Sequence, residues 1–311
     1  MDWAQILTFV FLTRVLASGL QLATPLIFTA MGETIAERAG ILNVGLEGIM
    51  LLSGLAGFSA AISTQSLWAG VAAGILVGAL LGLLFAFMVV TLRSDQIVTG
   101  LAFLIGCTGG AMYLYNLQFH GRCLQQIRPF QIIAIPGLSK IPFLGPVFFE
   151  HNILTYIMLL LVPISAWILY NTRFGLRLNA VGEQPAAADT MGVKVRSTRY
   201  VCIIIGCALA GLGGAYFPLA DLGCYANTMV GGRGFIALAL VVFGRWNPFL
   251  ALAGGVLFGV IDALQIRLQF LGAPLPPQFL IMMPYVLTIL VLFIGRGRKA
   301  PSALTQPYSR E

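Results

Sequence analysis

Apolar stretches long enough to cross a bilayer as one helix, about 20 residues, recur along the whole chain, with short polar breaks between them. No other feature limits the fold as much. The chain is therefore read as an all-α, polytopic membrane protein forming a single transmembrane domain over 1–311. Composition agrees. Of 311 residues, 59% are hydrophobic and 9% charged, whereas a soluble domain carries about 25% charged residues. Candidate spans cover 5–29, 44–65, 67–92, 97–117, 152–171, 199–218, 229–245, 248–270 and 279–295. The count is nine, or ten if a piece near 30–43 re-enters the membrane. The opening MDWAQILTFVFLTR lacks the basic region and small-residue cleavage site of a signal peptide and is read as the first span.

The net charge of +7 does not point to nucleic acid, because the basic residues gather in short stretches between spans. Such stretches mark the cytoplasmic side. Arg93 marks one. Arg173, Arg177, Lys194, Arg196 and Arg199 fill a loop at 172–199, and Arg296, Arg298 and Lys299 begin a tail at 296–311. With these inside, the C-terminus is cytoplasmic, 30–43 lies inside and the N-terminus outside. The Pro-rich stretch 118–151 and the 271–278 loop are then outside, although 118–151 also holds Arg122, Arg128 and Lys140.

Enzyme chemistry finds no support. No phosphate-binding G-x-x-x-x-G-K-[ST] loop, HExxH or G-x-S-x-G is present, so the chain cannot hydrolyse ATP alone and offers no metal or Ser-His constellation. The only histidines, His120 and His151, flank the outer stretch. Cys107, Cys123, Cys202, Cys207 and Cys224 have no ligand spacing and read as reduced, mostly buried thiols.

The two halves look related. AAGILVG at 72–78 and AGGVLFG at 253–259 agree in glycine positions and apolar size. Upstream of them lie NVGLEGIMLL at 43–52 and NTMVGGRGFIAL at 227–238, where Glu47–Gly48 lines up with Arg233–Gly234. Under the charge-derived topology the matched segments run in opposite directions, as in the inverted repeats of transporters.

Three stretches hold most of the polar information. In GETIAERAGILNVGLEGIMLL, 32–52, a lipid-facing helix would bear Glu33, Glu37, Arg38 and Glu47 at about 2.5–3.5 kcal/mol per charge at the bilayer centre. The segment 32–43 is therefore expected to be interfacial or re-entrant, with Glu33, Glu37 and Arg38 at the water boundary. The glycines at 40, 45 and 48 suit a broken helix lining a cavity. Glu47 then lies deepest, either as a structural partner of Arg14 or Arg233 or within a translocation path. In RSDQIVTG, 93–100, Ser94 or Asp95 is placed to cap the next helix, and Gln96 and Thr99 fall on a face available to a pathway. In the 172–199 loop, Pro185 is placed to start a short helix and Gly192 to end it. With small Ala187 and Ala188 on top, that helix reads as a surface for another protein or as a solvated connection.

These stretches resemble the permease subunits of bacterial ATP-binding-cassette importers, in the branch that includes branched-chain amino acid, ribose and nucleoside systems. GETIAERAGILNVGLEGIMLL resembles the nucleoside type, whereas the GGIDLSVGS-like stretch of ribose permeases is absent. SDQIVTG resembles the family's Asn-Glu/Gln-Val-hydroxyl-Gly stretch, with Asp95 where Asn is usual. GEQPAAADTMG resembles its Gly-Glu/Asn-x-Pro-x-Ala-Ala cytoplasmic loop, with Ala186 where a looser importer pattern has Glu.

The resemblance implies a multi-pass subunit of the bacterial inner membrane. It would pair with a second permease, identical or related, receive solute from a periplasmic or lipoprotein-type binding protein, and bind no cofactor itself. ATP would be held by separate ATP-binding subunits docked through Gly182, Glu183, Ala187, Ala188 and Gly192. A nucleoside would be recognised by amide and hydroxyl groups, for which Asn43, Glu47, Gln96 and Thr99 are candidates, with Phe103 or Tyr113 for stacking. The alternative is a self-contained secondary transporter or channel coupled through buried acids such as Glu47, Asp221 and Asp262.

Overall fold

In the computed structural model, residues 9–119, 126–137, 139, 144–271, 276–294 and 300–308 are described. His120, Arg122, Cys123, Lys140, Arg296, Arg298 and Lys299 lie outside them. The described chain is predominantly helical, and seven of its helices are long and apolar enough to cross a membrane.

Helix α1, Phe9–Arg38, is followed by a non-helical passage at 39–45, then α2, Leu46–Thr64, and α3, Leu67–Ala86, which continues through a wider π-type turn at Phe87–Thr91. Helix α4, Gln96–Phe119, leads to a small outer motif, in which β1, Ile132–Ala134, pairs antiparallel with β2, Glu150–Asn152, around α5, Leu144–Phe148. Next come α6, Ile153–Asn171, and two short helices, α7, Arg173–Glu183, and α8, Pro185–Thr190. Helix α9, Val195–Tyr216, extends through a second π-type turn at Phe217–Asp221. A non-helical passage at 222–232 precedes α10, Arg233–Phe243, then α11, Pro248–Phe270, and α12, Pro277–Ile294.

Two expectations change. The first helix does not stop near 29. It runs 30 residues to Arg38, and Glu33, Glu37 and Arg38 are buried at 1%, 1% and 8% exposure rather than at a water boundary. Partners distant in sequence make this possible. Glu33 Oε1 accepts the Asn43 amide at 2.7 Å, and Glu37 Oε2 accepts the Trp246 indole N–H at 2.6 Å. Arg38 donates from Nε to the Trp246 carbonyl, from Nη1 to Asn179 and from Nη2 to the Tyr170 hydroxyl. Each of the three side chains gains at least one hydrogen bond, which offsets part of its desolvation cost, although Glu37 Oε1 has no partner among the described residues. The second change is at 229–245, expected to span. Only the 11 residues of α10 are helical there, about 16 Å at 1.5 Å per residue, roughly half a hydrocarbon core.

The centre of the bundle is the crossing of α1 and α9. A Cβ on Gly32 would sit 2.4 Å from the Gly206 carbonyl oxygen, and one on Gly206 2.9 Å from that of Gly32. Contacts on α9 step backward from Gly213 to Gly206 as α1 advances from Pro25 to Gly32, so the helices are antiparallel. Such close approach needs residues without side chains, the usual solution for helices in lipid. Helix α3 lays Gly74 and Gly78 against Gly211 and Cys207 of α9, while α11 lays Gly255 and Gly259 against Ile27, Gly19 and Ala23 of α1. The glycines matched in sequence thus do the same work on opposite long helices.

Candidate translocation site where two helix N-termini meet

The passage 39–45 turns at Gly40 (φ +85°) and returns into the bundle. The Asn43 side chain holds it there. Its Oδ1 accepts the Gly45 amide at 2.9 Å, an Asx turn that ends the passage one residue before α2 begins. Its Nδ2 donates to the Cys207 sulfur at 3.3 Å, near the middle of α9. From α4, Gln96 Oε1 accepts the Leu42 amide at 2.8 Å. Thr99 Oγ1 bonds back to the Asp95 carbonyl and the Ser94 hydroxyl. Asp95 itself caps α4 by accepting the Ile97 and Val98 amides. Phe103 packs edge-on against Phe85 with centroids 5.3 Å apart, and a Cβ on Gly45 would meet the Phe103 Cβ at 2.8 Å. Helix α2 therefore starts inside the apolar bundle.

Helix α10 starts there too. Glu47, in the first turn of α2, reaches across to it. Its Oε1 accepts the Gly232 amide at 2.8 Å and its Oε2 the Gly234 amide at 2.7 Å. A helix N-terminus concentrates unpaired N–H groups and positive potential, and the carboxylate supplies both acceptors and counter-charge. Glu47 pairs with neither Arg14 nor Arg233 in an ion pair. Arg233 instead bridges Asp262 at 3.0 Å, donates to the Met229 carbonyl and lies over the Phe217 ring. A cavity of about 300 Å³ at the Arg38 end and one of about 150 Å³ beside Arg233, Asp262 and Tyr285 adjoin the bundle.

Of the six residues expected to line a path, Asn43, Gln96, Thr99 and Phe103 form one buried cluster around 42–45, with Glu47 next to it. Tyr113 is elsewhere. It is 67% exposed on the outward flank of α4, where Gly106, Gly109 and Gly110 have nothing within 4 Å of a would-be Cβ. Sequence reasoning did not single out Trp246, Asn179 or Tyr170, which hold the Arg38 end, and nothing local in their segments signals that role.

At that end α7 and α8 project as a pair. Pro185 opens α8, and Gly192, at φ +82°, follows its end. A Cβ on Gly182 would fall 1.9 Å from the Arg38 carbonyl oxygen, so only glycine lets α7 abut α1. Ala187 is exposed, but Ala188 is turned inward beside Val181 and Val195, not outward with it. Between the two helices lies an apolar groove of about 430 Å³, lined by Leu176, Ala180, Ala187 and Met191.

Long apolar helices, two helix starts buried within the bundle and an exposed helix pair at its basic end define a polytopic membrane permease. Residues 15–292 match the family described as branched-chain amino acid transport system / permease component, and the chain belongs to that family. It is similar to the guanosine ABC transporter permease protein NupQ of Bacillus subtilis, 37% identical over 99% of this chain and 98% of that one. It is equally similar to the nucleoside ABC transporter permease protein NupC of Lactococcus lactis, 37% over 93% and 94%. The putative glucose ABC transporter permease protein TsgC13 of Haloferax volcanii is likewise 37% identical, over 97% of this chain and 99% of its own.

Proposed function

We propose that the chain is the translocation subunit of an ATP-driven importer in the bacterial inner membrane, and that its solute is a nucleoside. Two relatives whose names specify guanosine or nucleosides, 37% identical over nearly the full length, support that class; a third of the same identity is named for glucose, which makes glucose the competitor to test. Helices α1 to α4 and α9 to α12 are read as an inverted repeat, each with a re-entrant passage, at 39–45 and 222–232. The observation that carries the reading is the shared centre. Two half-buried helices begin face to face, and each belongs to a different half. Such interfaces are where transporters of this construction hold solute.

The anion-attracting end of α10 is already occupied by Glu47, which fits a neutral solute. The open face of α4, with Tyr113 available for stacking and Gly106, Gly109 and Gly110 leaving space, is read as one wall of the path. A second permease closes it. Asn43, Glu47, Gln96, Thr99 and Phe103 form the backing that sets the shape of this wall. Separate ATP-binding subunits dock on the exposed side of α7–α8, at Glu183, Ala187 and Gly192, while Gly182 and Ala188 seat the pair against the body of the protein, and a binding protein delivers solute at the opposite end. Alternating access follows if nucleotide binding favours one cavity orientation over the other.

The test is purification of the tagged chain in mild detergent, identification of its partners, and uptake of tritiated guanosine by the complex in proteoliposomes with ATP inside or outside. Uptake that needs ATP on the α7–α8 side and is competed by other nucleosides, not by glucose, is expected. Uptake by the chain alone, or competition by glucose only, overturns the reading.

A further inference from the structure

Residues 300–308, which return to the bundle after α12, lie against the α7–α8 pair. The Ala303 amide donates to the Gly182 carbonyl at 2.9 Å. The Ser302 hydroxyl donates to Glu183 Oε2 at 2.8 Å and the Tyr308 hydroxyl to Asp189 Oδ2 at 2.9 Å. On its other side the same segment holds the body of the protein. The Thr305 amide reaches the Gly40 carbonyl at 3.3 Å, and Arg199 Nη1 donates to the Gln306 carbonyl at 3.1 Å. Ala303 is 3% exposed, and a Cβ on Gly40 would meet its carbonyl oxygen at 2.9 Å. The Tyr308 ring packs on the small cluster of Val181, Ala188 and Val195.

We infer that 300–308 is a positioning strap for ATP coupling, tying α8 to the turn at Gly40 so that movement of α8 reaches the 39–45 passage. This rests on the reading that an ATP-binding subunit docks at α7–α8. Helix α8 has six residues, and Ala188 is its only fully buried side chain. A rod that short, held at one point, tilts under load instead of passing the load on. With Tyr308 gripping Asp189 and Thr305 gripping Gly40, it gains a second attachment, and that attachment leads to the passage carrying Asn43 and, two residues past its end, Glu47. Ser302 and Tyr308 touch no solute in this scheme. They act through α8.

The experiment compares the full complex with a chain ending at Ala300, with Tyr308→Phe, and with Ser302→Ala/Tyr308→Phe. Tyr308→Phe keeps the ring packing and removes only the hydroxyl bond. Three quantities are read: ATP-binding subunit retained on purification, ATP hydrolysis, and tritiated guanosine taken up per ATP hydrolysed. The expected result is unchanged retention and continuing hydrolysis. Uptake per ATP should fall about fivefold in Tyr308→Phe, the factor matching one hydrogen bond of ordinary strength, and further in the double variant and the shortened chain. A double variant with the wild-type ratio overturns the strap while leaving docking intact. Failure of any ATP-binding subunit to co-purify with the unaltered chain overturns docking and the strap together, so the two failures are told apart. Loss of protein in the shortened chain, with the double variant coupled as wild type, makes the segment a folding element only and likewise overturns the proposal.

Discussion

Glu47 accepts two backbone N–H groups at the start of a helix whose cap, Gly232, lies 185 residues later in the chain, and that distance is why its role was not legible in sequence. A capping carboxylate is recognised when it lies beside the helix it caps. Here the sequence offered only Arg14 and Arg233 as partners, because charge is visible in a sequence and an unpaired amide is not. Glu47→Ala leaves two amides in apolar surroundings and is expected to cost about 2 kcal/mol, the upper range for a lost helix cap, whereas Glu47→Gln keeps one good acceptor and costs about half. Thermal unfolding of the purified chain in detergent reads the difference, and equal effects of the two changes would refute the capping role. Gly182→Ala pushes a methyl to within 1.9 Å of the Arg38 carbonyl oxygen. It is expected to cost more than the roughly 1–3 kcal/mol of ordinary overpacking, seen as loss of folded protein on size exclusion. Asn43 stood out by its position in the glycine-flanked polar break. That its side chain is spent on Gly45 and Cys207 was not legible.

Elements were read more accurately where local chemistry decides them. Pro185 and Gly192 bracket α8 because a fixed φ and a left-handed residue act within their own turn. The end of α1 was misplaced because the first charges look like a boundary, whereas the Asn43 amide, Trp246, Asn179 and Tyr170 hold them within a helix. The outer ribbon β1–β2 gave no alternating pattern to detect at three residues per strand. His151 on β2 is buried, with Nε2 against the Val147 carbonyl at 2.8 Å. Burial lowers its pKa, with the Val147 bond and the Glu150 charge opposing. The unfolded chain therefore takes up the proton first as pH falls, so the contribution of this site is intact above the ordinary imidazole value of about 6.5 and declines below it. Protection of the β1–β2 amides, corrected for the intrinsic exchange rate, should fall as pH drops below about 6.5 in the natural chain and much less in His151→Gln; identical profiles would contradict this. On α4, a Cβ at Gly106 meets nothing within 4 Å, so Gly106→Leu should leave stability within about 0.5 kcal/mol, as for open surface positions. Uptake and pairing with the second permease should be lost. Normal uptake would remove that face from the path.

At the scale of the molecule, one correspondence between the halves was readable from glycines. Gly74 with Gly255 and Gly78 with Gly259 stood out in the sequence, and they occupy matching places against α9 and α1. The span count was less legible, because an apolar run does not reveal where a helix breaks inside a bundle. Orientation follows from charge. Arg93, Arg173, Arg177, Lys194 and Arg196 gather at the α7–α8 end, whereas Arg14, Arg128 and Arg267 mark the other, so the first end is expected to face the cytoplasm. A membrane-impermeant thiol reagent should label Ala187→Cys only in inside-out vesicles and Ser63→Cys only in right-side-out ones; the reverse pattern would invert the assignment. The Gly32–Gly206 crossing has a mechanical consequence. Where two helices touch through bare backbone, no side chains mesh across the contact, so turning one against the other there shears no knobs from holes. The same bare contact recurs at Gly74–Gly211, Gly57–Gly70 and Gly19–Gly259, so the bundle carries several smooth bearings at which one helix can turn against the next.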